Sequence, residues 1–169
     1  VYNDLSEVQV FPLLADNCTL DIVDNPDKEY PNKSAKVAHF SRTGNQYANA
    51  YIRLPAGFRF DLRQQHVFKV MVRGKAGDVI LLKLENSDPA EPWKTGTEIT
   101  YTISKDNTWE VAVYDFNGVP GGFTWTGDMY APDVVADDRF NHDYYNTLRI
   151  MCNPTVADGT HSFWLDELS

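Results

Sequence analysis

The side chains with the most distinctive chemistry are aromatic ones lying outside any regular element. Trp93 sits in Asp88-Pro89-Ala90-Glu91-Pro92-Trp93, a turn-like stretch, and Trp125 sits in Gly121-Gly122-Phe123-Thr124-Trp125-Thr126-Gly127. Tyr130 follows shortly after. A sugar ring presents an apolar face of C–H groups that stacks on an indole or phenol, while its hydroxyls need planar polar partners such as Asn, Gln, Arg, Asp and Glu. Exposed rings beside such partners therefore suit a pyranose. The other reading of Trp93 and Trp125 is that each folds back as a lid over the core, and the sequence leaves both open.

Catalytic and metal motifs are sparse. There is no Gly-x-Ser-x-Gly elbow, no phosphate-binding glycine loop, no His-Glu-x-x-His and no Cys-x-x-Cys. His39, His66, His142 and His161 are scattered over strands and turns, without a readable metal triad. Among 24 acidic residues chance pairs are expected, so Glu85 with Glu98, or Glu110 with Asp115, is weak support for the two carboxylates that glycoside hydrolysis requires. Asp133, Asp137, Asp138 and Asp143 form an acidic cluster that is either a solvated loop or a hard-cation site; its spacing is not that of an EF-hand.

The elements that must position these residues read as strands. Short runs rich in Val, Ile, Tyr and Phe, bounded by Gly, Pro, Asn and Asp, predict strands at Glu7–Pro12, Cys18–Val23, Ala35–Phe40, Ala50–Leu54, Val67–Gly74, Val79–Glu85, Glu98–Ile103, Trp109–Phe116, Thr147–Asn153 and Ser162–Leu168. None is long enough for a helix. The pattern is that of an all-β, two-sheet antiparallel sandwich occupying residues 1–169 as one domain. Alternation places Leu82 and Leu84 on one face of their strand, Lys83 and Glu85 on the other, and sets Tyr51 and Arg53 opposite Ile52 and Leu54. Arg53, Lys83, Glu85 and the following Asn86 are thus candidates to hydrogen-bond hydroxyls from a groove. Trp109 shares a face with Val111 and Val113 and is expected in the core, whereas the side taken by Trp164 is open. The stretch Asn117–Asn146 is the largest anomaly, too long for an ordinary connection and too aromatic for disorder.

Composition narrows the function classes. A net charge of −9 argues against nucleic acid, which attracts a basic face. No apolar run of about eighteen residues exists to span a bilayer as a helix. The first residues carry no leader pattern and begin at Val1, as expected of a processed chain or a piece of a longer one. Two cysteines, Cys18 and Cys152, are too few for a disulfide framework; they form one bridge or remain two buried thiols. Asn17-Cys18-Thr19 and Asn32-Lys33-Ser34 match the glycosylation acceptor by chance.

In order along the chain, Asp24-Asn25-Pro26-Asp27-Lys28, Asn32-Lys33-Ser34-Ala35-Lys36-Val37, Phe60-Asp61-Leu62, Phe68-Lys69-Val70, Leu81-Leu82-Lys83-Leu84-Glu85-Asn86, Thr108-Trp109-Glu110 and Asp115-Phe116 resemble the jelly-roll carbohydrate-binding modules of families such as four and twenty-two, found beside glycoside hydrolases. Asn146-Thr147-Leu148-Arg149-Ile150 and Phe163-Trp164-Leu165-Asp166-Glu167-Leu168 look like that group's last two strands, so the resemblance covers nearly the whole chain. It implies a jelly roll, a ligand groove on a sheet face or among the loops at one end, and a structural Ca²⁺ held by Asp166 and main-chain oxygens around Asn32–Ser34, with Asp24 and Asp27 near in sequence. Asn117–Asn146 departs from the pattern, being longer and more aromatic.

The expected function is therefore non-catalytic binding of polysaccharide or oligosaccharide, such as β-glucan or another plant or algal glycan, by a monomeric module of a larger secreted or cell-surface protein. Trp93, Trp125 and Tyr130 would stack on sugar faces. The alternatives are a structural or protein-interaction sandwich of a secreted assembly, and a small glycoside hydrolase or polysaccharide lyase.

Overall fold

The computed structural model describes residues 3–4, 8–9, 11–116, 124–125 and 143–169. Within these residues the strands are β1 (Asn3–Asp4), β2 (Val8–Gln9), β3 (Leu14–Asp16), β4 (Thr19–Asp24), β5 (Lys36–Thr43), β6 (Asn49–Arg53), β7 (Val67–Arg73), β8 (Val79–Glu85), β9 (Thr97–Thr102), β10 (Glu110–Asp115), β11 (Thr124–Trp125), β12 (Thr147–Cys152) and β13 (Thr160–Asp166). β1 and β2 pair as a small ribbon, and the rest form two antiparallel sheets: β10-β7-β13-β5-β4, and β11-β9-β8-β12-β6-β3. The chain repeatedly crosses from one sheet to the other, as expected of the jelly-roll sandwich.

Period-two alternation builds the space between the sheets. Ala38 and Phe40 of β5, Val70 and Val72 of β7, and Phe163 and Leu165 of β13 meet Ile52, Leu82, Leu84, Leu148 and Ile150 of the six-stranded sheet in one buried cluster. Phe68 stands edge-on to both Phe60 and Phe116 at one end of that core. Both cysteines are thiols: Cys18 bonds the Asn49 carbonyl at 3.3 Å, and burial pushes the Cys152 thiol up to about 12.

The outer faces of the two sheets differ in their cover. On the five-stranded sheet, Asn25 follows edge strand β4, yet its side-chain oxygen accepts a 3.1 Å bond from Trp109 Nε1, which precedes the opposite edge strand β10. The Asp27 carbonyl accepts a second bond from the same indole at 2.8 Å. Four inter-strand spacings of about 4.8 Å separate those edges by about 19 Å, so the 25–35 loop must cross the face. Val37 and Asp166 point away from the core by alternation with Ala38 and Leu165, yet both are fully buried under this crossing.

Several expectations need correction here. Trp109 is buried and does share a face with Val111 and Val113, but that face is the outer one; those valines are exposed, and the strand's core residues are Ala112 and Tyr114. Trp164 also takes the outer side, its ring 4.9 Å from His39 and 5.1 Å from the Arg73 guanidinium. Short edge strand β3 escaped notice because Leu14-Ala15-Asp16 has no alternating run, and the expected strand at Glu7–Pro12 is represented by Val8–Gln9 alone among the described residues.

Candidate functional site

Among the described residues no loop crosses the outer face of the six-stranded sheet, and that face holds a trough of about 870 Å³. Its floor follows from strand register. Glu98 of β9 lies opposite Lys83 of β8, Lys83 opposite Arg149 of β12, and Arg149 opposite Tyr51 of β6, so one row of side chains crosses four strands. Leu81, Met151 and Thr100 form part of the next row, and Asp16 and Asn49 close the side toward β3.

Charge on the floor is paired. The Arg149 guanidinium donates Nε to Glu85 Oε1 at 3.0 Å and Nη1 to Asn49 Oδ1 at 2.9 Å, and lies 5.2 Å from the Tyr51 ring centre. Lys83 Nζ is 3.5 Å from Glu85 Oε2 and donates to the Trp93 carbonyl at 3.2 Å. Lys83 is only 7% exposed and Glu85 2%, so these partners stand in for the water each charged group has lost at the bottom of the trough. Burial pushes the Glu98 carboxyl above its ordinary range, an effect the Lys83 ammonium partly opposes.

Aromatic rings stand over this floor. Trp93 lies on the 3-10 helix Pro92–Thr95 between β8 and β9 and is 48% exposed; Tyr47, in the β5–β6 connection, is 63% exposed. Thr95 fixes the base of the Trp93 helix, its hydroxyl accepting from Asn86 N at 2.9 Å and facing the Asn86 carbonyl at 3.1 Å. The rim near Pro154 and Thr155 is held by Arg42, whose buried guanidinium donates to the carbonyls of Gly44, Cys152, Asn153 and Val156.

Of the residues expected from sequence to touch ligand, the structure brings Trp93, Lys83 and Glu85 into one trough. Arg53 is exposed but lies outside it, one row beyond Arg149. Asn86 is buried and structural: its side-chain oxygen accepts the Asp88 N–H at 3.0 Å. The main chain of Trp125 pairs with Thr97 at the edge of the six-stranded sheet, and its side chain and Tyr130 lie outside the described residues. So do Asp133, Asp137 and Asp138, while Asp143 pairs with Arg63 at 3.6 Å. Tyr47, Arg149, Asp16 and Asn49 were missed. Arg149 was readable, since Leu148 and Ile150 facing inward turn it outward; Tyr47 met the same criterion as Trp93, an aromatic ring in an irregular stretch beside Asn45 and Gln46.

The residues named for calcium divide. Asp166 is fully buried on the outer face that the 25–35 loop crosses, and that loop carries Asn32 and Ser34. The carbonyls of Asn32 and Ser34 both face Asn25 Nδ2, at 3.5 and 3.0 Å, which leaves each a second lone pair. Asp24 and Asp27 do not fit: Asp24 is exposed, bonded to Lys36 at 2.6 Å, and Asp27 Oδ1 accepts the Glu29 N–H at 3.2 Å. Among the described residues no three acidic, His or Cys side chains converge on a point. Glu110 likewise serves structure. Burial would raise its carboxyl, but bonds from Tyr101, Ser104 and Lys105 hold it below the usual range.

No protein-family model matches the sequence, and no curated protein matches it. Solved structures do. The chain is similar to the family 11 carbohydrate-binding module of a cellulosomal cellulase from Clostridium thermocellum, at 16% identity over 99% of this chain and 92% of that one, with a TM-score of 0.63. The same family 11 module in complex with a β-1,3-1,4-mixed-linked tetrasaccharide matches at 16% identity, 98% and 91% coverage and a TM-score of 0.63. A family 22 xylan-binding domain from Paenibacillus barcinonensis matches at 10% identity over 100% of this chain and 96% of that one, with a TM-score of 0.56. The fold of this chain is therefore that of the jelly-roll carbohydrate-binding modules, family 22 among them.

Proposed function

We propose that this chain is a non-catalytic module that binds polysaccharide along the trough of its six-stranded sheet, capturing a β-glucan or another plant or algal glycan for degradation. The observation that carries this is an open trough in which exposed Trp93 and Tyr47 stand over a floor of fixed, already paired polar groups. The rings offer stacking surfaces for the C–H faces of pyranoses, and the floor offers donors and acceptors for hydroxyls without presenting an unpaired buried charge. Structures of similar fold that are named for a bound mixed-linked tetrasaccharide and for xylan support the same reading.

Two alternatives fare less well. Glycoside hydrolysis needs one protonated and one free charged carboxylate. Burial shifts the Glu98 carboxyl in the direction a general acid needs, but both Glu85 oxygens are taken, one by Arg149 and one by Lys83. A spacer domain would pack its loop tryptophan inside, whereas Trp93 is open. High-molecular-weight glycan does not enter cells, so the module belongs to a secreted or cell-surface protein; no helix among the described residues is long and apolar enough to cross a membrane.

Isothermal titration against soluble mixed-linked β-glucan, xylan and other neutral polysaccharides tests the reading, with a reducing-sugar assay on the same samples. Binding by the wild type without release of reducing ends is expected. No binding across the panel, or steady release of reducing ends, would overturn it.

In this reading a structural Ca²⁺ is held by Asp166 with the carbonyls of Asn32 and Ser34, where an oxygen-seeking cation would pin the crossing loop to the sheet. Dialysis against EDTA is expected to lower the thermal midpoint, Ca²⁺ to restore it, and Asp166→Asn to remove the difference. An unchanged midpoint in the wild type would dismiss the ion.

A further inference from the structure

Gly96 raises a question that its backbone does not answer. It follows the Trp93 helix with φ −76° and ψ 152°, a conformation open to every residue, so a left-handed turn is not the reason for glycine. Space is. A Cβ built at Gly96 would lie 2.0 Å from Lys83 Cε and 2.9 Å from Nζ, because the lysine stem runs flat against this stretch of main chain. At its end the ammonium donates to the Trp93 carbonyl at 3.2 Å and sits 3.5 Å from Glu85 Oε2, which in turn belongs to Arg149 through Oε1.

We propose that Lys83 is not a ligand contact but the positioning residue for Trp93: its ammonium ties the Trp93 carbonyl to the Glu85–Arg149 pair on the floor, and Gly96 exists to let that stem through. The inference rests on the trough being the glycan site, and it adds how the exposed indole is held ready. The Trp93 helix is a single short turn whose N-cap, Glu91, caps no backbone N–H with its side chain, and its other anchors, Thr95 and the Glu91–Lys94 pair at 2.7 Å, fix its ends rather than the tryptophan. A ring fixed before binding loses less freedom when a sugar stacks on it, so the tether should appear in affinity. The lysine head is consumed by two acceptors at the bottom of the trough, which is why it is nearly inaccessible although it lies on the floor.

A double-mutant cycle tests this. The protein is labelled with 5-fluorotryptophan, the Trp93 ¹⁹F signal is assigned by its loss in Trp93→Phe, and Lys83→Ala, Gly96→Ala and the double variant are compared without ligand. The three atoms nearest a methyl at position 96 all belong to the far end of the flexible lysine, so Gly96→Ala should displace the ammonium rather than the backbone. Each single variant is expected to shift or broaden the Trp93 signal, leave those of Trp109 and Trp164 in place, and weaken binding of soluble mixed-linked β-glucan by roughly tenfold, the scale of one charge-assisted hydrogen bond. Adding Gly96→Ala to Lys83→Ala should change nothing further, because the stem that collides is gone. An unmoved Trp93 signal in both single variants, or weakened binding with that signal unmoved, would overturn the proposal and make Lys83 a direct contact. If the wild type binds no glycan, the ligand-free ¹⁹F comparison still decides whether the tether exists.

Discussion

The two outer faces of this sandwich are built from the same residue types and meet opposite fates. On the five-stranded sheet, Trp164, Arg73 and Asp166 share the outer face with a crossing loop that carries Asn32, and Trp109 donates its N–H to Asn25 and Asp27 of that loop. On the six-stranded sheet, Trp93, Arg149, Asn49 and Glu85 line an open trough. Neither aromatic content nor charge separates the two. Among the described residues, what separates them is whether chain crosses the face, and whether the polar groups there satisfy one another along the floor or are capped from above. A sandwich has two outer faces, and among the described residues one is covered by chain and the other forms the trough where the proposed ligand would lie.

The sharpest way to break this comparison is to exchange the two roles by mutation. Trp109→Ala should cost about 4 kcal/mol in urea unfolding, because it empties a buried volume and strands the acceptors of the crossing loop, with glycan affinity changing less than about twofold. Affinity falling in step with stability would mean the two faces are not independent. Arg149→Met comes next. It leaves Glu85 a buried carboxylate without its main partner and should cost about 3 kcal/mol while abolishing binding, whereas Arg149→Met combined with Glu85→Leu should recover most of the stability but no binding. Recovery of both would show that the pair is structural only.

Smaller effects sharpen the account. Trp93→Ala should weaken glycan binding by roughly 10- to 100-fold, the scale of about 1–3 kcal/mol for stacking on one aromatic ring, with unfolding changed by less than about 0.5 kcal/mol because the ring is open to water. Glu98→Gln is the finest probe. Burial raises the Glu98 carboxyl in the folded state, so its ionised form opposes folding above the folded value and this penalty disappears as pH falls below the unfolded value of about 4.3. Glu98→Gln should therefore raise the thermal midpoint slightly at neutral pH and converge with the wild type at low pH. A gain independent of pH would show that charge is not the cause.

Much of this architecture was legible because its code is local. Alternation in Val79–Glu85 put Leu82 and Leu84 inward and Lys83 and Glu85 outward, as the structure has them, and the same rule applied to Thr147–Cys152 would have added Arg149. Trp93 was readable as an aromatic ring outside any strand, and it is open as that reading required. The failures are non-local. A strand's pattern shows that Trp109, Val111 and Val113 share a face but not which face is covered, since the cover comes from a loop more than 80 residues earlier in the chain. Arg53 and Asn86 satisfied every sequence criterion for hydroxyl partners; only register, which sets Arg53 a row beyond the trough, and the turn that consumes the Asn86 side chain, remove them. Lys83 lies where alternation put it, and no sequence pattern tells a head group that meets a sugar from one that, as proposed here, holds a neighbouring tryptophan in place.

The most direct test of the central claim is a residue-resolved titration. Amide shifts in ¹H–¹⁵N spectra, followed while a mixed-linked β-1,3-1,4-glucan tetrasaccharide or a xylan oligosaccharide is added, should move at Lys83, Glu98, Tyr51, Arg149 and Tyr47, together with the Trp93 indole, and stay fixed across His39, Val111, Val113 and Trp164. Shifts gathered on that second group, or on the crossing loop, would place the ligand on the closed face and contradict the account.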